Sequence, residues 1–256
     1  MESTLHGKRI LVTRPAHQCR IWCQLLQATG ADVDIVPMLA IVPVENGPQL
    51  QAIKKQILDF DQVEHAIFVS QNAVRIGLDW LENYWPQLPQ GPRYYAIGAA
   101  TARALRERGV DCASDGDSMD SEALLALPLL QQVADQRILI FRGSGGRTLI
   151  GETLRQRGGR VDYCELYHRS LPANAAGDLA AYTAQPDAIT VHSGETLANL
   201  AQCIRASKQD KLFDVPTVCP SQRVADQAQA LGFSHCHAAR NAGDTAMLEA
   251  LQTALN

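Results

Sequence analysis

One pattern of strand, polar turn, helix and glycine stop occurs twice in this chain of 256 residues. The segments ILVTRP and LLQATGADVD, within residues 10–34, match ILIFRG and LRQRGGRVD, within residues 138–162. In each copy a short apolar strand precedes a turn that contains an arginine, and a glycine ends the helix that follows. The second of these turns is predicted to span Phe141–Ser144. The chain is therefore predicted to contain a duplicated α/β unit.

Two further pairs of segments support the duplication. AIFVSQNAV at residues 66–74 matches AITVHSGETL at 188–197, and YAIGAATARALRERGV at 95–110 matches TVCPSQRVADQAQALGF at 217–233. All three pairs occur in the same order, and strands alternate with helices at a spacing that is typical of parallel sheets.

Two extended segments connect the repeated parts. One is PMLAIVPV, which begins at Pro37, and the other is VDYCELYHRSLP, residues 161–172, in which apolar and polar residues alternate as in a half-exposed strand. Proline bounds both segments and favours an extended backbone. We expect the two to pair as a two-stranded bridge between two lobes, with Tyr167 facing the cleft between them.

Small polar residues and arginines occupy the turns that follow the predicted strands. In an open parallel sheet these turns meet at the carboxyl edge, where ligands bind, and helix N-termini there favour carboxylate or phosphate groups. Any one of these serines or threonines could serve only as a helix cap, and any one arginine only as a solvated charge. Their shared position predicts a set of substrate-binding residues: Arg14, Ser70, Thr101, Arg142, Ser144, Arg147, Ser193, Gly194 and Ser221.

Composition excludes several classes of protein. A hydrophobic fraction of 46% with 20% charged residues indicates a globular chain, and no apolar run is long enough to span a membrane. The N-terminus lacks the features of a signal peptide, and the seven cysteines include no C-x-x-C pair, so a cytoplasmic protein with reduced thiols is predicted. A net charge of −4 argues against nucleic acid as a partner.

Segments that look like cofactor-binding motifs lack residues that those motifs require. The glycines after Arg142 imitate a dinucleotide-binding loop, but Thr148 stands where the third glycine is required. A phosphate-binding loop fails because Glu152 takes the place of the essential lysine. Cys19 and Cys23 share a helix face and are best explained as core residues. We predict no cofactor and no metal site.

Taken together, the ordered motifs resemble those of the uroporphyrinogen-III synthase family. The matching segments are LVTRP, FVSQNAV, AIGAATARAL, ILIFRGSGGR, ELYHRS, VHSGETL and VCPSQRVADQAQALGF, and they cover nearly the whole chain. The resemblance implies an α/β fold of two doubly wound, flavodoxin-like parallel-sheet lobes, joined by a two-stranded antiparallel β bridge. It places residues 1–37 and 172–256 in lobe 1, residues 48–161 in lobe 2, and residues 38–47 and 162–171 in the bridge.

The resemblance also implies an activity, that of a hydro-lyase in haem biosynthesis. Such an enzyme cyclises hydroxymethylbilane, a linear tetrapyrrole, with inversion of ring D and loss of water, and uses no cofactor. By the same likeness Tyr167 is the expected general acid, and Ser70, Thr101, Ser193 and Ser221 are expected to contact the substrate. The turn at Ser221 departs from the G-P-x-T pattern of many relatives.

The expected partners follow from this function. We predict a monomer that binds a small tetrapyrrole, with the upstream hydroxymethylbilane-producing deaminase as a possible protein partner, and with no nucleic-acid or membrane partner. An alternative is a two-lobed cytoplasmic binding protein for a small anionic ligand, which would show no turnover of hydroxymethylbilane. A nucleotide-using α/β enzyme is a third reading, which predicts stabilisation by nucleotides.

Overall fold

The structure, a computed structural model, describes residues 5–113 and 119–256 as alternating strands and helices. The strands of this part are β1 (Arg9–Val12), β2 (Asp32–Ile35), β3 (Ala40–Pro43), β4 (His65–Phe68), β5 (Arg93–Ala96), β6 (Arg137–Gly143), β7 (Arg160–Ser170), β8 (Ala188–Thr190), β9 (Thr217–Cys219) and β10 (Cys236–Ala238). The helices are α1 (Cys19–Ala28), α2 (Gly47–Leu58), α3 (Gln71–Tyr84), α4 (Ala99–Glu107), α5 (Ser121–Ala126), α6 (Leu149–Gln156), α7 (Ala175–Ala181), α8 (Gly194–Ser207), α9 (Gln222–Leu231) and α10 (Asp244–Ala254).

Backbone packing divides the chain into two compact units. Unit 1 comprises Met1–Ala40 and Ser170–Asn256, and unit 2 comprises Ile41–Arg169. The described residues form two five-stranded sheets, the first with the order β10-β9-β8-β1-β2 and the second with the order β3-β7-β6-β4-β5. Within the described residues, no helix is long and apolar enough to cross a membrane.

The sheet of unit 1 has helices on both faces. Its neighbouring strands all run parallel, and counted within the unit their order is 2-1-3-4-5, as in flavodoxin-like folds. Alternation along β1 sends Ile10 and Val12 into a core with α1 and α10, whereas Leu11 packs into a second core with α8 and α9. Chain connections therefore diverge between β1 and β8, which is the topological switch point of this sheet.

The sheet of unit 2 repeats this arrangement. Strands β4, β5, β6 and β7 pair in parallel, and counted among themselves their order is 2-1-3-4. Phe68 and Phe141 pack with α2, α3 and α4 on one face, while Ile67 and Ile140 pack with α5 and α6 on the other. The switch point lies between β4 and β6.

These features confirm the predicted α/β fold with two parallel-sheet units. The segments predicted to form the bridge, 38–47 and 162–171, contain β3 and most of β7, which are hydrogen-bonded neighbours in the second sheet. The Val44 amide donates to the Leu166 carbonyl at 2.9 Å beside this pair. The predicted lobe boundaries themselves stay a prediction.

One local expectation was wrong. The turn predicted to span Phe141–Ser144 does not begin at Phe141, because β6 continues through Arg142 to Gly143. The physical reason is the length of β7, which extends far enough to pair with these residues: Arg142 aligns with Glu165, and Gly143 aligns with Tyr167.

Candidate active site

A pocket of about 240 Å³ opens at the carboxyl edge of the unit 2 sheet. It lies where β4 and β6 end, at the switch point where open α/β sheets bind ligands. Its floor is apolar, and its polar wall combines hydroxyl groups with three arginines: Ser70, Ser121, Arg142, Tyr163, Tyr167, Arg147 and Arg169. This mixture suits an organic molecule that carries negative charge.

A β-bulge places Tyr167 in this pocket. The pairing of β6 with β7 shifts register between Arg142 and Gly143, so that Leu166 is the extra residue. Leu166 and Tyr167 are consequently both buried, which breaks the alternation that the sequence predicts for β7. Bulges of this kind often redirect a side chain beside an active site. The Tyr167 ring lies so close to Gly143 that an added Cβ there would be 2.6 Å from it.

The Tyr167 hydroxyl meets the N-terminus of α3. Ser70 is the N-cap of this helix, and its Oγ accepts a hydrogen bond from the Ala73 amide at 3.0 Å. The same oxygen lies 2.9 Å from the Tyr167 hydroxyl. Because Ser70 Oγ already accepts from the helix, its own proton can point toward Tyr167. Ser70 therefore combines the ordinary capping role with a direct contact to the expected general acid.

Arg142 braces the glycine-rich loop that follows β6. Its side chain is only 7% exposed, its Nε donates to the Gly143 carbonyl at 3.1 Å, and its Nη1 donates to the Arg147 carbonyl at 3.2 Å. The guanidinium also lies 4.8 Å from the centre of the Tyr163 ring. Arg142 is thus buried and hydrogen-bonded to the loop, whereas the sequence predicts an arginine presented from an open turn.

Backbone amides of the same loop already have acceptors within unit 2. The Ser144 amide donates to the Tyr167 carbonyl at 2.7 Å, and the Gly145 amide donates to Glu165 Oε1 at 3.2 Å. Gln49 of α2 donates to Ser144 Oγ and to the Glu165 carbonyl, each at 3.1 Å. The loop is therefore held in place before any ligand binds.

The remaining predicted residues of unit 2 differ in exposure. Arg147 is exposed and lines the pocket. Thr101 is only 4% exposed and is not among the pocket residues. The turn at Gly98 puts Ala99 and Ala100 on the outside of α4 and directs Thr101 inward.

In unit 1, the predicted residues after β1 and β8 also meet at the carboxyl edge of the sheet. Thr13 Oγ1 donates to the Thr190 carbonyl at 2.8 Å and thereby joins the two strand ends. Arg14 forms an ion pair with Asp244 at the start of α10, with 2.7 Å between Nη1 and Oδ1. Burial, and secondly the charge of Arg14, lower the pKa of His192 well below its usual value.

The helix starts of unit 1 are less uniform than their sequences predict. Ser193 caps α8 by accepting from the Thr196 amide at 3.0 Å. A Cβ at Gly194 would lie 2.6 Å from Gln227 Oε1, at the end of a flexible side chain that can move aside. Ser221 is the N-cap residue of α9, but its side chain makes no capping hydrogen bond.

Three polar side chains of the pocket were missed from the sequence. Tyr163 and Arg169 lie on β7, before and after Tyr167 on the same strand. Ser121 is the first residue of α5, next to the N-cap residue Asp120. Tyr163 and Arg169 are close to Tyr167 in the sequence, and this closeness could have identified them as candidates for the same pocket. Ser121 could not have been identified in this way, because its approach depends on how α5 packs.

The paired cysteines of α1 are suited to packing rather than to ligand binding. Burial, together with the nearby Cys23, raises the pKa of Cys19 to about 12, so its thiol stays protonated at neutral pH. In the described part of the chain, no cluster of three or more histidine, cysteine or acidic side chains could hold a metal ion.

Comparison with known proteins gives a consistent result. Residues 22–249 match the family model described as uroporphyrinogen-III synthase HemD. The uroporphyrinogen-III synthase of Salmonella typhimurium is 34% identical over 247 residues, which cover 95% of this chain and 99% of that protein. The same enzyme of Escherichia coli is 34% identical over 250 residues, with coverage of 95% and 99%.

Solved structures support the fold. A mutant uroporphyrinogen III synthase of Thermus thermophilus superposes with a TM-score of 0.60 at 18% identity, covering 97% of this chain and 99% of that one. Uroporphyrinogen-III synthetase of Helicobacter pylori gives a TM-score of 0.57 at 18% identity, with coverage of 97% and 100%.

Proposed function

The chain belongs to the uroporphyrinogen-III synthase family, and on this premise we propose how its residues act on the substrate. It is an enzyme of haem biosynthesis that cyclises hydroxymethylbilane to uroporphyrinogen III, with inversion of ring D and loss of water. The fold, the two switch points and the charged pocket support assigning this reaction to the carboxyl edges of the sheets.

The reaction needs orientation and one proton donor. Departure of the terminal hydroxyl as water leaves an electrophilic azafulvene. The substituted carbon of ring D attacks it, and the resulting spiro intermediate fragments and closes again with the ring inverted. The enzyme must bring this carbon to the electrophile in preference to the free carbon of the same ring, so positioning supplies most of the selectivity.

The contact between Tyr167 and Ser70 is the observation that carries the mechanistic proposal. We assign Tyr167 as the group that protonates the departing hydroxyl. The Ser70 hydroxyl, held by the Ala73 amide, donates to the phenol oxygen as Tyr167 gives up its proton. A fixed donor aimed at developing negative charge lowers the barrier of such a step.

The size of the pocket indicates which part of the substrate it encloses. Pockets that bury a whole drug-sized ligand measure ~300–1,000 Å³, whereas this one has about 240 Å³. We therefore assign it to the terminal pyrrole ring that bears the hydroxymethyl group. The apolar floor, with Ile97, Ile140 and Ile150, suits the ring, and the exposed Arg147 and Arg169 suit the carboxylates of that ring.

The other predicted binding residues stay in the proposal as contacts for the remaining carboxylates. Arg14, Ser193, Gly194 and Ser221 belong to the carboxyl edge of unit 1. Arg142 and Ser144 act by shaping the loop of unit 2. Thr101 is the weakest member, because it is buried in α4.

Three finer statements belong to the same proposal. We expect the enzyme to act as a monomer in the cytoplasm and to receive its substrate from the deaminase that makes hydroxymethylbilane. Light scattering on the pure protein, and again after addition of the deaminase, tests the first and last of these. A stable dimer of the pure protein contradicts the monomer.

The activity is tested by generating hydroxymethylbilane in situ with a deaminase, adding the protein, oxidising the products and separating the porphyrin isomers. We expect the inverted isomer in excess over the spontaneous product. Formation of only the uninverted isomer would refute the assigned reaction.

The role of Tyr167 is tested by Tyr167→Phe, with Tyr163→Phe as a matched control on the same strand. Loss of the general acid is expected to lower kcat by about 100-fold or more, while the unfolding temperature changes little. Tyr163→Phe keeps the ring beside Arg142, and its hydroxyl makes only a 3.4 Å bond to Thr148, so it should retain most activity. Equal rates for the two variants would remove Tyr167 from the mechanism.

A further inference from the structure

Four buried polar atoms of unit 1 lack hydrogen-bond partners among the described residues. They are Trp22 Nε1, Thr190 Oγ1 and both ring nitrogens of His192. The Trp22 and His192 rings contact each other edge to face, with 5.5 Å between their centres. Thr190 is the last residue of β8 and precedes His192 by two positions. The two rings are therefore in contact, and Thr190 lies two residues before His192 at the end of β8, so we treat the four atoms as one cluster.

Such a cluster needs an explanation, since buried polar groups in folded proteins nearly always find partners. Elsewhere in this chain, a buried imidazole and an indole N–H do have hydrogen-bond partners. Both ring nitrogens of the buried His65 are bonded, to Tyr95 at 3.0 Å and to Gln136 at 2.7 Å. The indole of Trp85 donates to the Ile57 carbonyl at 2.8 Å.

The cluster lies at the switch point of the unit 1 sheet. Thr190 is the strand partner of Val12, and Thr13 bonds to the Thr190 carbonyl, so the cluster borders the ends of β1 and β8. These are the strands between which connections diverge, which is where open α/β sheets hold ligands. Position and unsatisfied polar atoms are independent observations that indicate the same site.

The charge beside the cluster is positive. Burial, and secondly the nearby charge of Arg14, lower the pKa of His192, which is therefore a neutral imidazole with one N–H donor and one acceptor. The indole N–H and the threonine hydroxyl supply two more donors. Donors next to a guanidinium match a carboxylate, whose two oxygens accept several hydrogen bonds.

We propose that Trp22, Thr190 and His192 form the inner wall of a binding site for one carboxylate group, with Arg14 as its cation. The inference rests on the proposed function, because the tetrapyrrole substrate is the source of that carboxylate. Asp244 is the carboxylate that holds Arg14 in the absence of substrate.

Entry to the site requires the ion pair to open. The side chains of Arg14 and Asp244 are 18% and 30% exposed, whereas Trp22 and Thr190 have no exposed surface. An incoming carboxylate takes the place of Asp244 at Arg14 and then reaches the inner donors. The remaining nitrogen of His192 accepts from a water molecule that enters with the anion.

Propionate, a small mimic of a substrate side chain, tests the site without any turnover. Isotope-labelled protein shows one indole N–H signal for each of Trp22, Trp80 and Trp85, and Trp22→Phe assigns the first. We expect the Trp22 signal to shift saturably as propionate is added at constant ionic strength. The Trp85 signal should stay in place, because its donor is already bonded. A Trp22 signal that does not respond overturns the inference.

Thr190→Val removes one proposed donor with little change of shape. Propionate affinity at Trp22 is expected to fall about tenfold, the scale of one lost hydrogen bond to a charged group. In the isomer assay the Michaelis constant should rise while kcat is unchanged. The control is Thr217→Val on the neighbouring strand β9. The Thr217 hydroxyl donates to the Val215 carbonyl, so its removal should leave propionate affinity unaltered.

The two tests separate failure of this site from failure of the proposed function. A wild-type protein that makes the inverted isomer, but whose Trp22 signal ignores propionate, keeps the function and loses the site. A saturable Trp22 response in a protein that makes only the uninverted isomer refutes the assigned reaction and leaves the anion site standing. Equal propionate affinity of Thr190→Val and wild type also contradicts the inferred donor set.

Discussion

Arg14 and Arg142 occupy equivalent positions in the repeated sequence pattern, yet their guanidinium groups have different partners. Arg14 bonds to the carboxylate of Asp244 and is partly exposed. Arg142 donates to the carbonyls of Gly143 and Arg147, lies 4.0 Å from Glu165 Oε1 and is nearly buried. The arginine of unit 2 therefore holds a loop in place, whereas the arginine of unit 1 is paired with the acid that we propose a substrate carboxylate displaces. Equivalent sequence positions therefore do not imply equivalent roles.

The polar side chains around the two arginines follow the same division. In unit 2, Ser70 and Tyr167 bond to each other, and Gln49 holds Ser144. In unit 1, the Thr190 hydroxyl and the His192 ring nitrogens have no hydrogen-bond partner in the described part of the chain. The polar side chains of the unit 2 edge are bonded to one another before ligand binding, whereas the unit 1 edge keeps unsatisfied polar atoms beside its bonded ones. Preorganisation suits a chemical step, and unsatisfied donors suit a binding step.

Gly143→Ala should damage the preorganised edge most. The added Cβ would lie 2.6 Å from the Tyr167 ring, at a position where unit 1 has Pro15. Displacement of the ring is expected to lower kcat by about 100-fold, the usual cost of misplacing a catalytic group by ~1 Å. The isomer assay measures this loss.

A matched control for this change is Gly177→Ala in α7, where a Cβ meets nothing within 4 Å. Alanine there should stabilise the helix by about 0.5–1 kcal/mol and leave the rate alone. Full activity of Gly143→Ala would show that the close approach of Tyr167 to the β6 backbone is not needed.

Ser70→Ala and Ser193→Ala compare the two edges directly. Each serine caps a helix through a 3.0 Å hydrogen bond, so each change should lower the free energy of unfolding by about 1 kcal/mol. Only Ser70 also touches the Tyr167 hydroxyl, whereas Ser193 bonds to Thr196. We expect kcat to fall about tenfold further in Ser70→Ala. Equal kcat values in the two variants, with equal loss of stability, would assign Ser70 to capping alone.

The smallest effect concerns stability below neutral pH. Burial is the main cause that lowers the pKa of His65 in unit 2 and of His192 in unit 1. Both are neutral when folded, while the unfolded chain binds protons below its usual pKa of about 6.5. Their contribution to stability is therefore complete above that pH and declines as the pH falls toward the folded pKa values.

Thermal unfolding at several pH values tests this difference. His65→Gln and His192→Gln should each flatten the decline of the unfolding temperature below pH about 6.5. His192→Gln should flatten it more, because the pKa of His192 is lowered further. An unchanged profile in both variants would mean that neither histidine is neutral in the folded protein at those pH values.

The fold was predictable because strand and helix patterns are local and repeat along the chain. The apolar segments Ile10–Val12 and Ala66–Phe68 lie in β1 and β4, as predicted, and Ser70 is the cap of α3, as its position predicts. The site was predictable only in outline. The bulge at Leu166 depends on pairing between two strands and leaves no local pattern, so the burial of Arg142 in the extended β6 was not foreseen.

The unsatisfied cluster lay beyond sequence reasoning for a similar reason. Trp22 and Thr190 are far apart in the chain, and each alone is typical of a core residue. Only the parallel pairing of β1 with β8 places Thr190 beside the strand that α1, the helix of Trp22, follows. Three-dimensional structure adds most where a site depends on contacts that are distant in sequence.

The discontinuity of unit 1 also has a consequence for synthesis on the ribosome. Unit 2 is one continuous segment, Ile41–Arg169, so its sheet can form as soon as that segment has emerged. The opening segment of unit 1 must wait, because β1 lacks its inner neighbour β8 until residue 190 has been made. During that interval the apolar residues of β1 and α1 are without their core, and this stretch is where we expect a nascent-chain chaperone to bind.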